Sequence, residues 1–289
     1  MAHDPRRPAW ARFVAEVGAF GWKEARSCAF AGFILAALAL TRHVEVPGLP
    51  RYDLLLLLCV GFQLAMVLSG SETPTEVAAV CLFHALGLGL ELWKVHHGSW
   101  SYPDEAWSKV GGVPLYSGFM YASVGSYVCQ AWRRLELRFH GWPPTWLALL
   151  LCAGAYGNFF TNSRLPDARG PLFLLVALVF ARSQVTFVPN GPRRRMPVLL
   201  SFALIGLFIW LAENMATLLE AWRYPHQASG WRPVHLQKIT SWWLLVVVSI
   251  VVVAELRRRA TGGQEVVTPC QPRPPVLRSS PHPPGSPTP

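Results

Sequence analysis

The chain has 289 residues, 52% of them hydrophobic and only 15% charged, with a mean hydropathy of +0.29. Soluble domains carry about a quarter charged residues, so this balance points to lipid as the solvent. The net charge of +10 does not imply a nucleic-acid partner, because the basic residues sit in short clusters between apolar runs, as in loops beside a membrane.

The first segment, residues 1–26, is expected to be cytoplasmic, with an amphipathic interfacial helix over residues 10–22. Trp22, Lys23, Glu24 and Arg26 precede an apolar run without a small-residue cleavage site, so that run should stay as an anchor. A hydrocarbon core about 30 Å thick needs about 20 mostly apolar helical residues. Runs near that length fall at 27–41, 52–70, 76–95, 112–131, 144–160, 170–188, 196–215 and 236–256. The expected fold is all-α, a polytopic transmembrane bundle of about eight spans. Its four-helix halves cover residues 27–131 and 144–259, with a basic cytoplasmic loop at 132–143. From residue 260 to 289 the composition turns to Pro, Ser, Gly and Thr, which cannot bury a core and reads as a disordered tail. None of the six cysteines forms a CxxC pair, and five lie in or beside apolar runs, so reduced packing thiols are expected.

Orientation follows from the Lys/Arg bias. With the N-terminus inside, 17 of the 26 basic residues fall on cytoplasmic segments, led by "WRRLELR" and "GPRRR". A multi-pass protein of the cell's inner membrane, with both termini cytoplasmic, is the expectation.

An aromatic loop then appears twice. "GSWSYPDEAW" follows the third run and "EAWRYPHQASGW" follows the seventh, on the same, non-cytoplasmic side. Glu91 lies nine residues before Trp100 and Glu213 nine before Trp222; each tryptophan leads into x-Tyr-Pro, at Tyr102 and Tyr224. Equivalent points four spans apart imply a parallel 4+4 internal repeat.

Glu91 and Glu213 are the candidate catalytic residues. An acid at the centre of a span costs roughly 2.5–3.5 kcal/mol, and a helix C-terminus disfavours negative charge, so neither serves helix stability. The plain alternative is helix-to-helix bonding, with Lys94 pairing Glu91; the second copy has Ala216 and Thr217 at the matching positions and lacks such a partner. If the halves pack about a pseudo-twofold axis, the two carboxylates face one cavity, suited to protonating an alkene or leaving group, to binding a cation, or to proton coupling.

Candidate ligand-binding residues surround them. Trp100, Tyr102, Trp222 and Tyr224 suit a flat apolar ligand or a cation, or simply anchor the interface. Asn214 offers an amide across helices. His84 lies two turns before Glu91 on the same face, a packing histidine or a ligand-contacting one. In "NFFTNSRLPDARG", Asn158, Asn162, Arg164, Asp167 and Arg169 concentrate polar groups; the arginines suit a phosphate or carboxylate clamp, or an Arg–Asp pair closes a turn at Pro166. Gly118, Ala122 and Ser126, at four-residue spacing, read as a close-packing stripe. No metal site is expected, and no cofactor is indicated.

"PRYDLLLLLC", "ELWKVHHGSWSYP", "GVPLYSGFMYASVGSYVCQAWRRLEL", "LIGLFIWLAENMATLLEAWRYPHQASGW" and "KITSWWLLVVVS" resemble the YoaT-like family of bacterial integral membrane proteins, the domain-of-unknown-function 817 family. The resemblance covers most of residues 10–259 and implies an eight-span-like membrane protein. Members of that family tend to have a histidine after the threonine of "NFFTNSRLPDARG"; this chain has Asn162 there, and so lacks that ligand for any metal. Glu91, Trp100, Tyr102 and Val113-Pro114-Leu115 are also similar to a short pattern in membrane carotenoid cyclases and hydratases. Three readings follow: a membrane-embedded enzyme acting on an isoprenoid or other lipid, a transporter coupling through paired Glu, or an accessory protein binding a partner. In each the bilayer is a partner.

Overall fold

A computed structural model describes residues 8–162, 165–260 and 267–269 of the chain. Helix α1 (Ala9–Ser27) presents Trp10, Phe13, Val14 and Val17 on one exposed stripe. Its other side is tied down by Glu16 to Arg194, by Lys23 Nζ donating to the Val188 carbonyl at 2.7 Å, and by Glu24 accepting from Tyr127.

The remaining helices fall one in each apolar run: α2 (Ala29–Leu40), α3 (Arg51–Leu68), α4 (Pro74–His96), α5 (Ser117–Arg134), α6 (Thr145–Thr161), α7 (Arg169–Phe180), α8 (Val198–Leu218) and α9 (Lys238–Ala260). Four of them, α3, α4, α8 and α9, are long and apolar enough to cross a membrane by length and composition; α2, α6 and α7 are apolar but shorter. The chain is therefore a mainly helical membrane protein. Proline marks the starts. Pro50, Pro144 and Pro197 are the extended residues from which α3, α6 and α8 begin, and Pro74 opens α4 where no intrahelical N–H is needed. Thr73 and Glu76 complete a reciprocal capping box there.

Helix α9 is the central element, touching α4, α5, α6, α7 and α8. Its valine-rich run is buried from Trp243 to Ile250. The outward faces of α3, α7 and α8 instead expose Leu57, Leu64, Leu174, Leu178, Leu204 and Phe208, a surface for lipid. Close approach is set by glycine. A Cβ on Gly87 would lie 2.3 Å from Tyr121 Cγ, and one on Gly206 would lie 3.2 Å from the Trp243 backbone nitrogen. The small-residue stripe of α5 faces α4: Gly118 sits against the His84 ring, and Ala122 and Ser126 are fully buried.

The all-α expectation needs correction. Residues 132–143 are not a plain basic loop: α5 ends at Arg134 and strand β3 follows (Arg138–Trp142). Two strands, β4 (Gln184–Phe187) and β5 (Arg194–Pro197), add a hairpin, and β6 (Val267–Pro269) pairs parallel on the other edge, in the order β5-β4-β3-β6. The physical reason is alternation. In β3 Phe139 is buried between exposed Arg138 and half-buried His140, and in β4 Val185 is buried between Gln184 and Thr186, a period of two; a register shift between His140 and Trp142 then turns Trp142 inward. β4 also cuts the sixth run short, so α7 stops at Phe180, and β1 (Lys109–Val110) with β2 (Val113–Pro114) delays α5. The expected 260–289 tail otherwise lies outside the described residues. The sheet closes one end of the bundle, where α5 and α7 finish and α6 and α8 begin; the aromatic loops, after α4 and α8, occupy the opposite end.

Candidate functional site

The two aromatic loops meet. Ser101 and Arg223 form an antiparallel bridge, each N–H donating to the other's carbonyl at 2.9 Å, and the rings of Trp100 and Tyr224 lie edge to face at 5.8 Å. Other elements hold the loops in place. Arg51 reaches Asp104 and the Leu219 carbonyl, Asp53 accepts the backbone N–H groups of Trp107 and Ser108, and Tyr116 donates to the Ala221 carbonyl.

The glutamate-to-aromatic spacing now has a structural cause. Each chain leaves its helix one to two turns beyond the glutamate and folds back over it. Glu91 Oε2 accepts from Trp100 Nε1 at 2.7 Å and from the Tyr102 hydroxyl at 2.8 Å. Tyr121 of α5 donates to Oε1 at 2.8 Å. Glu213 accepts from the Tyr224 hydroxyl on Oε1 and from Trp242 Nε1 of α9 at 2.6 Å on Oε2. Both carboxylates are about 3% exposed. Tyr102 and Tyr224 thus do the same task eleven residues after their glutamates. The tryptophans do not: Trp100 bonds its own glutamate, whereas Glu213 takes its indole from Trp242.

Lys94 does not pair with Glu91. It donates to Asn162 Oδ1 at 2.7 Å, so the simple i,i+3 ion pair is replaced by neutral donors. This matters chemically. Indole N–H can only donate, so Oε2 of each carboxylate must accept, and a proton on either group belongs on Oε1, facing a tyrosine that can also accept.

Glu91 and Glu213 line one cavity of about 300 Å³. Ile34, Leu35 and Leu38 of α2, Leu90, Met120, Ile209 and Leu245 make its apolar wall; Trp100, Tyr121, Trp222, Tyr224 and Trp242 add aromatic faces; Lys94, Asn162, Arg169 and Lys238 complete it at the loop end. Tyr102 is buried behind Glu91 rather than in the wall. Asn214 also stands back: it accepts the Val234 N–H and donates to the Trp210 carbonyl, securing the second loop. His84 lies outside the cavity, edge-on to Phe119 at 4.6 Å, and its Nδ1 has no hydrogen-bond partner among the described residues.

The polar α6–α7 connection divides in two. Asn158 accepts the Ala168 N–H and donates to Asp167, and Asp167 binds the backbone and side chain of Arg169, closing the turn. Burial pulls the Asp167 carboxyl upward, but the Arg169 and Asn158 donors outweigh it and hold the group below the usual carboxylate range. Arg169 reaches on to Ser241 Oγ at 3.0 Å, and with Asn162 borders the cavity. Arg164 lies outside the described residues.

Sequence reasoning missed Tyr121, Trp242 and Lys238. A signal for the first two existed: Tyr121 follows Glu91 by 30 residues and Trp242 follows Glu213 by 29, so the next helix supplies a further donor in each case. It also missed a second buried acid cluster at the sheet end. There Glu72 accepts from Gln63 and Ser126, and Glu76 pairs with Arg133 at 3.4 Å and Arg257 at 3.1 Å.

Comparison with known proteins adds a family. The sequence profile described as "Protein of unknown function (DUF817)" matches residues 16–250. The "Uncharacterized protein YoaT" of Bacillus subtilis (strain 168) is 54% identical over 231 residues, 80% of this chain and 88% of that protein. Among solved structures, a mycobacterial Insig homolog, MvINS from Mycobacterium vanbaalenii, aligns with 65% of this chain and 97% of its own at 15% identity and a TM-score of 0.46. A cross-linked MvINS trimer aligns with 65% and 96% at 14% identity and a TM-score of 0.47. The long match at high identity is decisive: this chain belongs to the DUF817 family of membrane proteins.

Proposed function

We propose that the protein is a membrane-embedded enzyme that rearranges an isoprenoid or another lipid, with Glu91 and Glu213 as its acid–base pair. The observation that carries this is the shared cavity: two buried carboxylates, each held by a tyrosine and an indole, border one mostly apolar volume. One carboxyl gives its Oε1 proton to an alkene carbon, and the two carboxylates with the surrounding aromatic faces balance the resulting cation. The partner carboxylate removes a proton from a neighbouring carbon, so the step is an isomerisation or cyclisation with no redox change. Two four-helix halves within eight spans belong to the same reading. The repeated Glu-x8-Trp-x-Tyr-Pro unit and the Ser101–Arg223 bridge support it. Clustering of basic residues around the sheet end supports an orientation with that end, and both termini, in the cytoplasm.

The test is lipid profiling of cells with and without the gene, complemented by the native chain, Glu91→Gln or Glu213→Gln. A lipid species that disappears on deletion and returns only with both glutamates is the expected result. Unchanged extracts, or full rescue by Glu213→Gln, would remove the enzyme reading.

One observation favours proton-coupled transport as a second reading. Ser123 on the cavity wall, Ser126 bonded to Glu72, and Gln130 follow one face of α5 toward the second acid cluster. Proton flux in proteoliposomes that vanishes with Glu72→Gln as well as Glu213→Gln is its signature.

A further inference from the structure

The cavity wall carries three cations that the acid–base chemistry leaves unused. Lys94 is 8% exposed and spends one N–H on the neutral Asn162 oxygen. Lys238 lies over the rings of Trp100 at 5.0 Å and Tyr224 at 4.9 Å. Among the described residues, neither lysine has a carboxylate within 4.0 Å. Arg169, half-neutralised by Asp167, is the third, and its charge and that of Lys238 both act on Lys94. The Glu213 and Glu91 carboxylates act on Lys238 from beyond ion-pairing distance and Asp167 acts on Lys94, but no carboxylate closes on either lysine, so the rim of three mutually repelling cations still favours a further anion.

Their placement sharpens this. Lys238 opens α9 and Arg169 opens α7, so both stand at the positive ends of helices, where a cation is disfavoured and an anion is welcome. Lys94 lies three residues beyond Glu91, nearly one turn nearer the loop end, and Trp242, the indole on Glu213, lies four residues into α9 from Lys238. The cations therefore form a rim at the loop end, with the carboxylates about one turn deeper.

We propose that Lys94, Lys238 and Arg169 form the headgroup site for a single-chain amphiphile with a phosphate head, whose hydrocarbon chain runs past Glu91 and Glu213. The cavity volume of about 300 Å³ is at the small end of ligand pockets, which suits a single hydrocarbon chain. This inference rests on the cavity being the lipid site proposed above, and it names the class of lipid.

The test uses purified full-length protein in phosphatidylcholine nanodiscs, read by tryptophan fluorescence, since Trp100, Trp222 and Trp242 line the cavity. The probes are monododecyl phosphate, dodecanol, dodecyltrimethylammonium and inorganic phosphate. Dodecyl phosphate is expected to bind at least about tenfold tighter than dodecanol, the size of one or two charge-assisted hydrogen bonds. Its affinity should fall with added salt, while that of dodecanol should not. Lys94→Met and Lys238→Met should each weaken dodecyl phosphate by about tenfold and leave dodecanol unchanged. Equal binding of dodecyl phosphate and dodecanol, with no salt dependence in the native protein, would overturn the headgroup site while leaving the cavity a lipid site. Tighter binding of the ammonium amphiphile would overturn it too. Inorganic phosphate binding as tightly as dodecyl phosphate would make this a free-anion site and remove the amphiphile. If none of the amphiphiles binds, the headgroup site and the lipid-enzyme reading fall together.

Discussion

Trp100 and Trp242 limit what each buried glutamate can do, because an indole offers a donor and never an acceptor. Glutamine can satisfy the same partners: its amide oxygen takes the Trp100 and Tyr102 donors, and its NH2 donates to Tyr121, whose hydroxyl can accept. Glu91→Gln should therefore fold with little change in melting temperature, whereas Glu91→Leu leaves three donors unpaired at about 1–3 kcal/mol each. Thermal melts in nanodiscs check the difference, and equal losses for the two variants would contradict the donor assignment. Asp167 supplies the pH-sensitive case. Held below its usual range by Arg169 and Asn158, it lends stability that is complete above about pH 4 and is lost as pH falls through its lowered value. Melts at falling pH should show a small acid-side loss in the native chain that Asp167→Asn lacks, small because the side chain is 35% exposed. Glu91, Glu213 and the loop tyrosines Tyr102 and Tyr224 stood out in the sequence, because acids inside apolar runs and repeated aromatics are local anomalies. Lys238 was not, because a lysine at the start of an apolar helix looks like an ordinary interfacial anchor.

At the level of elements, α4 and α5 carry the first half of the site, and their contact depends on one missing side chain. Tyr121 lies on Gly87, and a Cβ there would overlap the ring. Gly87→Ala should push Tyr121 off Glu91 and cost about 1–3 kcal/mol, as overpacking usually does. Loss of the Tyr121 contribution in a Gly87→Ala/Tyr121→Phe cycle would be the signature, and simple additivity would speak against the coupling. At the opposite end of α4, Thr73→Ala removes half of the capping box, an expected loss of about 1 kcal/mol, measurable by denaturant or thermal unfolding. The helices were readable because long apolar runs bounded by proline leave few alternatives. The strands were not: β3 is five residues long and β4 and β5 four each, and stretches so short, with Arg138, Arg194 and Arg195 among them, read as basic loops.

Across the whole molecule, the two glutamates border one cavity and the two aromatic loops that cap them meet, which is what the proposed acid–base pair requires. Glu91→Gln and Glu213→Gln should each abolish most product formation, and the double variant should be little worse than either, since groups sharing one reacting centre are not additive. Product yields that multiply instead would indicate separate sites. Composition and pattern alone determined that the chain is a mainly helical membrane protein in which the sequence Glu-x8-Trp-x-Tyr-Pro occurs twice, because hydropathy, run length and spacing are properties of neighbouring residues. Only the tertiary structure decided that both units border one cavity, that Trp242 replaces Trp222 on Glu213, and that Lys94 turns to Asn162 instead of Glu91. Those are contacts between segments far apart in the chain, set by how α9 packs among its neighbours, and no local pattern encodes which of several donors within reach will arrive.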